Sequence, residues 1–283
     1  MLYFLLRVVS SFPLFIFQII GAFVGIMIYL LSSKYRARLN LNIDSAAKYA
    51  GFEASPLRAA CESGMMFADT LWIWRHPKSA VKKVKVEGLE SIISLSKRGQ
   101  GLIILATHLG GFEIVPRIFA EHLKATVMYR PAKKERLNEL MTRSREHPQM
   151  DFVEANLGGV RKVKRALKNG EVVGILADQV PSVSDGVWAK FFNRYAYTTS
   201  FPIKLARQKN VATLFVSAER LSFGRGWELK TKFLQAEYPE DPVEACNVMN
   251  GYFEEMIASK PNQYMWSYNR YKKPAGAEPA PNN

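Results

Sequence analysis

The chain has 283 residues, 48% of them apolar and 23% charged, which excludes a disordered or low-complexity protein and provides for a sizeable buried core. Lys and Arg outnumber Asp and Glu by 39 to 25, a net charge of +14 that calls for an anionic partner: nucleic acid, a negative membrane face or an acidic protein. Only Cys61 and Cys246 are present, far apart, which excludes a disulfide framework and a cysteine zinc site.

The first feature along the chain is an uncharged run from Val8 to Ser33, preceded by Arg7 and followed by Lys34, Arg36 and Arg38. As a helix it would be about 39 Å long, against a hydrocarbon core of about 30 Å. It is too long for a signal peptide and lacks a small-residue cleavage site. The readings left open are a bilayer-spanning helix, an interfacial helix and a buried helix of the globular domain. The three cations after the run favour a cytoplasmic location for the downstream domain.

Residues 40–76 read as helix, with Leu57, Cys61, Met65, Ala68, Leu71 and Trp72 at three- and four-residue spacing. Val84 and Val86 alternate with lysines as a half-exposed strand, and a short helix ends at Gly99. The apolar run Gly101–Ala106 has the length and composition of a buried parallel strand. Helix, strand and helix follow over 116–123, 125–129 and 133–145. A weak strand at 151–155, a basic helix at 160–170 and an apolar strand at 171–177 come next. Then come a helix near 200–210, a strand at 211–221, an alternating antiparallel or edge strand at 227–238 and a long amphipathic helix at 241–261. This alternation predicts an α/β domain with a mixed, mainly parallel sheet flanked by helices. The Pro- and Ala-rich residues 274–283 read as a flexible tail.

The apolar strand runs into Thr107-His108-Leu109-Gly110-Gly111-Phe112-Glu113. Ligands collect at the carboxyl ends of strands in open α/β sheets, so His108 stands at a natural site. Gly110 and Gly111 permit a sharp turn and close approach of a substrate. Glu113 can return to His108 from the next helix, fix its tautomer and leave the other ring nitrogen as a base. A capped histidine in a turn is the plain alternative. The sequence has no G-x-S-x-G elbow and no Walker loop, so direct attack by a bound hydroxyl is favoured over a serine intermediate. His76, His108, His122 and His147 form no H-E-x-x-H pair and have no cysteine near them, so neither a metal nor a cofactor is expected. No zinc-finger or RNP signal points to nucleic acid.

The segment His108 to Glu113 resembles the HxxxxD/E motif of the glycerolipid and lipid A acyltransferase superfamily. Further segments resemble, in order, the late acyltransferases of lipid A biosynthesis: Tyr129-Arg130-Pro131, Leu176-Ala177-Asp178-Gln179, Gly186-Val187 through Phe191-Phe192-Asn193-Arg194, and Thr198-Thr199. The segment from Pro261 through Gln263-Tyr264 and Trp266 to Arg270-Tyr271-Lys272 resembles their C-terminal block. Two departures stand out. Gly111-Phe112 replaces the usual Asn-Trp, and Asn193 stands where glycine is usual.

The resemblance implies transfer of a fatty acyl chain from acyl carrier protein to a hydroxyl of a lipid A precursor, on the cytoplasmic face of the bacterial inner membrane. His108 would be the general base, with Glu113 orienting it. The backbone of Gly110 and Gly111, or Arg130, would stabilise the oxyanion; Arg130 has phosphate binding as a rival role. Asp178 and Gln179, after another buried strand, would line the same cleft. From Lys124 to Gly170 there are 12 Lys/Arg against 5 Asp/Glu. Arg161, Lys164 and Lys168, on one predicted helix, would dock the acidic carrier protein. The implied organisation is a membrane helix and basic flank (1–38), an acyltransferase domain (39–273) and the tail (274–283). A phospholipid acyltransferase with the same dyad, or a non-catalytic basic membrane-binding module, are the competing functions.

Overall fold

The computed structural model describes residues 12–281; Arg7, the beginning of the apolar run and the last two residues lie outside the described residues. Pro13 precedes helix α1 (Leu14–Leu31), and α2 (Ser33–Ala50) follows after one residue. The Ser32 hydroxyl caps α2 by accepting from the Tyr35 N–H. The predicted long helix is two helices, because Gly51 ends α2 in the left-handed conformation and Ser55-Pro56 starts α3 (Pro56–Arg75). The expected boundary at residue 38 therefore falls inside α2.

Downstream come α4 (Pro77–Val81), β1 (Val84–Val86), α5 (Leu89–Lys97), β2 (Gly101–Gly110), α6 (Val115–Ala120) and β3 (Ala125–Tyr129). Next are α7 (Glu135–Ser144), β4 (Met150–Glu154), α8 (Leu157–Lys168) and β5 (Val172–Leu176). The remainder is β6 (Gly186–Phe191), β7 (Arg194–Thr199), α9 (Phe201–Ala206), β8 (Val211–Arg220), β9 (Trp227–Phe233) and α10 (Pro242–Ser259).

The main sheet has the order β1-β9-β8-β2-β5-β3-β4, and only the β8–β9 pair is antiparallel. This is the α/β, mainly parallel sheet that the alternation predicts. The central strand β2 is buried on both faces, as its unbroken apolar run requires. Ile103 and Leu105 pack with α8, α9 and α10, whereas Leu102 and Ile104 pack with α3, α5 and α6.

β6 and β7 form a separate hairpin, which the strand–helix pattern does not reveal. Its two-residue turn places both Phe192 (φ 47°) and Asn193 (φ 57°) at positive φ. Asn tolerates that region through its short polar side chain, so Asn193 fits the turn without a glycine. The residues after 273 pack on this hairpin rather than hanging free: Ala277 is buried, and the Trp188 indole donates to the Glu278 carbonyl at 3.0 Å.

Candidate active site

β2 and β5 run parallel as neighbours, so their carboxyl ends meet. The register of β2 against β8 shifts between Ala106 and Gly110, a bulge-like irregularity that frees His108 from the regular pairing. The C-terminal block braces this point. The Met265 N–H donates to the His108 carbonyl at 3.1 Å, and Leu109 forms an antiparallel bridge with Tyr264.

Asp178, just past β5, holds the histidine twice. Its Oδ1 lies 2.8 Å from His108 Nδ1, and its Oδ2 accepts from the His108 backbone N–H at 2.9 Å. Burial pushes the Asp178 carboxyl up, but the His108 charge, its ring and backbone hydrogen bonds, and the Arg270 charge outweigh this and hold it below the ordinary carboxylate range. An ionised Asp178 accepts a hydrogen bond from Nδ1–H, which favours the tautomer with Nε2 as the unprotonated nitrogen. The Gln179 amide nitrogen lies 3.3 Å from that Nε2. The expectation is that Asp178 and Gln179 line the cleft; Gln179 lines the cavity, whereas Asp178 is buried behind the His108 ring and holds it.

Glu113 differs from the expectation. It is buried in a single 3-10 turn (Phe112–Ile114), and its carboxylate is taken by Arg145 and Trp74. Arg145 Nε and a terminal guanidinium nitrogen reach it at 2.6 and 2.9 Å, and the Trp74 indole N–H at 2.8 Å. Burial works against the Arg145 charge, but Glu113 holds the guanidinium above its ordinary pKa. The Arg145 guanidinium also lies over the rings of Trp74 and Phe152. No hydrogen bond joins Glu113 to His108 among the described residues. Arg145 and Trp74 carry no motif, and nothing in their sequence spacing marks them.

Gly110 and Gly111 also have a different reason. The Gly111 N–H donates to the Ala218 carbonyl at 2.8 Å, so it is not free for an oxyanion. A Cβ on Gly110 would overlap that same carbonyl, and one on Gly111 would overlap the Trp227 indole. The two glycines let β8 and β9 close against the strand end, and neither lines the cavity beside His108.

That cavity measures about 850 Å³, within the usual range for a ligand site. His108, Gln179, Glu113, Arg145 and Arg130 are among its polar lining groups, with Asp185 as a second carboxylate. Most of its wall is apolar and runs deep: Ile104, Phe119, Ala125 and Val172 line it from within the core. Phe67 and Leu157, both exposed, line it at the surface. Arg130 is exposed at the end of β3. Arg161, Lys164 and Lys168 lie exposed on α8, without carboxylate partners among the described residues. Asn156 caps that helix by accepting from the Gly159 N–H.

A strand-end imidazole held by a carboxylate at the rim of a deep apolar cavity is a site suited to general-base chemistry on a largely apolar substrate. Residues 1–273 match the family of bacterial lipid A biosynthesis acyltransferases, and the chain belongs to that family. It is 28% identical over 216 residues to the lipid A biosynthesis palmitoleoyltransferase of Escherichia coli (strain K12), covering 75% of this chain and 70% of that one. To the lauroyltransferase of the same organism it is 26% identical over 216 residues, with the same coverage. A lipid A biosynthesis acyltransferase of Haemophilus influenzae is 24% identical over 213 residues, 74% of this chain and 67% of that one. The protein is an acyltransferase.

Proposed function

We propose that the protein transfers a fatty acyl chain from acyl carrier protein to a hydroxyl of a lipid A precursor at the cytoplasmic face of the inner membrane. The observation that carries this reading is the His108 imidazole, with Asp178 on Nδ1, at the polar rim of a deep apolar cavity. The acyl chain lies in the cavity with its thioester beside His108. Nε2 takes the proton of the acceptor hydroxyl as its oxygen attacks the thioester carbonyl, and Asp178 stabilises the imidazolium. The thiolate of the carrier then leaves, and the imidazolium returns the proton to it. In this proposal the Gln179 amide, 3.3 Å from Nε2, turns from the ring to donate to the developing oxyanion, and exposed Arg130 binds a phosphate of the acceptor by its planar fork.

Glu113 acts through Arg145: the pair joins the turn after β2 to the end of α7, whose Leu137, Leu140 and Met141 line the cavity. The basic face of α8 receives the acidic carrier protein. The N-terminal region forms the membrane-attached part, and the remainder the catalytic part.

The test is direct assay of the purified protein with acyl carrier protein thioester and a detergent-dispersed lipid A precursor, the product read by mass spectrometry. The expected product is the precursor with one added acyl ester, and His108→Ala loses at least about 100-fold in turnover, the low end for positioned general-base catalysis. Retention of more than half the wild-type turnover by a folded His108→Ala would sink the mechanism. Acylation of a glycerophospholipid in preference to the lipid A precursor would overturn the acceptor.

A further inference from the structure

Helix α1 is uncharged along its whole length, with Gln18 and the Tyr29 hydroxyl as the polar side-chain groups between Leu14 and Leu31. Its inner side is seated on the protein from one end to the other. Leu14, Phe17, Gln18, Gly21 and Gly25 are buried, at the three- and four-residue spacing of one helical stripe. Gly21 meets Gly64 of α3, and Gly25 meets Ala60, so closely that a Cβ at either glycine would overlap backbone. At the far end the Tyr29 hydroxyl donates to Asn40.

The contact is polar as well. Gln18 donates to Asp69 Oδ1 at 2.8 Å, while Asp69 Oδ2 accepts from Arg220 Nε at 2.6 Å and from the Trp227 indole at 3.0 Å. Arg220 also pairs with Glu62. A helix that crossed the bilayer in this pose would draw α3, with Glu62 and Asp69, and the β8–β9 edge into hydrocarbon beside it. Buried charge at that depth is costly.

Apart from the β8–β9 turn beside Phe15, the outer side of α1 is uncovered among the described residues. Ile19 and Phe23 are 64% and 62% exposed, and Phe15, Val24, Leu30 and Leu31 share that side. The turn between β8 and β9 adjoins it. Gly224 packs against the Phe15 backbone, and the neighbouring Phe223, at φ 57° and 90% exposed, points its ring to solvent. A large apolar residue held in the left-handed region is strained, and only the surroundings can compensate that. Cations border both ends: Lys34, Arg36 and Arg38 after α1, and Lys83 and Arg225 beside the Phe223 turn.

We infer that α1 does not span the bilayer but lies flat in the leaflet facing the catalytic domain, its outer face and Phe223 immersed and its inner face permanently seated on α3. The occupant of this face is an anionic lipid surface. A second copy of the chain is disfavoured, because a two-fold pairing along α1 would bring the bordering cations together. Phe67 of α3, at the cavity mouth, is exposed on the same helix that carries α1. Flat seating therefore puts the cavity mouth close to the lipid plane.

This inference rests on the membrane attachment proposed for the N-terminal region, and the test separates the two. The full chain is mixed with vesicles of phosphatidylethanolamine and phosphatidylglycerol, and spin-labelled lipids quench a fluorophore placed singly at 15, 19, 23 or 30 in a Cys61→Ser background. A flat helix gives similar, shallow depths at all four positions. A spanning helix gives a profile in which residue 23 lies about 12 Å deeper than residue 15, eight residues at 1.5 Å each. The spanning profile would overturn the inference and leave membrane association intact. Absence of vesicle binding by the wild type, or a lipid-insensitive dimer that hides the labels, would overturn both. As a second arm, Ile19→Glu/Phe23→Glu/Phe223→Glu should lower vesicle affinity at least tenfold while turnover on detergent-dispersed substrate stays near wild type. Unchanged vesicle binding by this folded variant would also overturn the immersed face.

Discussion

His108 and Asp178 are 70 residues apart, yet Nδ1 of one lies 2.8 Å from Oδ1 of the other because β2 and β5 are parallel neighbours whose register, Ala106 opposite Leu176, sets position 108 level with position 178. The second carboxylate oxygen holds the His108 backbone N–H, so a single aspartate fixes both the ring and the chain that carries it. Asp178→Asn should therefore lower kcat by about 10²–10⁴-fold with KM little changed, since the amide keeps the shape and loses the charge opposite the imidazolium. Glu113→Gln should lose no more than this, because it acts at one remove. A kcat for Asp178→Asn within threefold of wild type would assign the orienting role elsewhere.

The same carboxylate leaves a mark on acid stability. Its folded pKa is depressed, so its contribution is fully present above the unfolded value of about 3.9 and is lost as pH falls through the folded value. The gap in denaturant midpoint between wild type and Asp178→Asn should shrink as pH is lowered from 5 to 3. A gap that widens over this range would contradict a depressed Asp178.

Glu113 and Arg145 form a largely buried pair, with side chains 5% and 13% exposed. Removing either partner strands the other charge, a loss of about 3 kcal/mol or more. Glu113→Leu and Arg145→Met should each destabilise the fold, and the double variant should recover more than about 1 kcal/mol relative to the sum. Additive losses in urea titrations would show that the pair is not coupled.

On the donor side, reversing Arg161, Lys164 and Lys168 to Glu should raise KM for acyl carrier protein and flatten its salt dependence, with little change in kcat. An acyl–coenzyme A donor, if used, should be less affected. Unchanged donor KM with weaker binding of the phosphorylated acceptor would give this surface to the lipid instead.

Two glycines on helices should respond in opposite directions. Gly64→Ala places a methyl against the Gly21 backbone and should destabilise by about 1–3 kcal/mol. Gly251 has open space around it on α10, so Gly251→Ala should stabilise by about 0.5–1 kcal/mol. Thermal unfolding of the two variants reads this directly, and equal shifts would argue against the tight α1–α3 contact.

The strand end carrying His108 is legible because six consecutive apolar residues leave no other role for the segment. The carboxylate on its ring is not, since only the sheet order brings residue 178 to residue 108. Glu113 has the motif spacing but sits in a 3-10 turn aimed at α3 and α7, and Arg145 and Trp74 that meet it are ordinary residues on separate elements. The apolar spacing in α3 is only partly right. Ala68 and Trp72 are buried as the spacing predicts, but Leu57 is exposed and Met65 half-buried, whereas Ala60, Gly64 and Asp69 are buried, because α1 needs small residues to come close. The β6–β7 hairpin escapes notice because its turn is Phe-Asn rather than the Asn-Gly or Asp-Gly that signals such turns.

The seating of α1 also imposes an order of assembly. Gln18 is made before its partner Asp69, and Asp69 is completed by Arg220, 151 residues further on, which takes roughly 8–30 s of synthesis at ordinary rates. During that interval the helix is made and its receptor is not. A lipid surface can hold the helix in the meantime and return it to α3 from the side, without pulling it out of the bilayer again. Stalled nascent chains ending before residue 220 should thus expose α3 to proteolysis, and chains extended past the β8–β9 turn should protect it. On that account α1, made before its receptor, is among the last elements to reach its final contacts, and under the flat seating inferred above a lipid surface is where it waits.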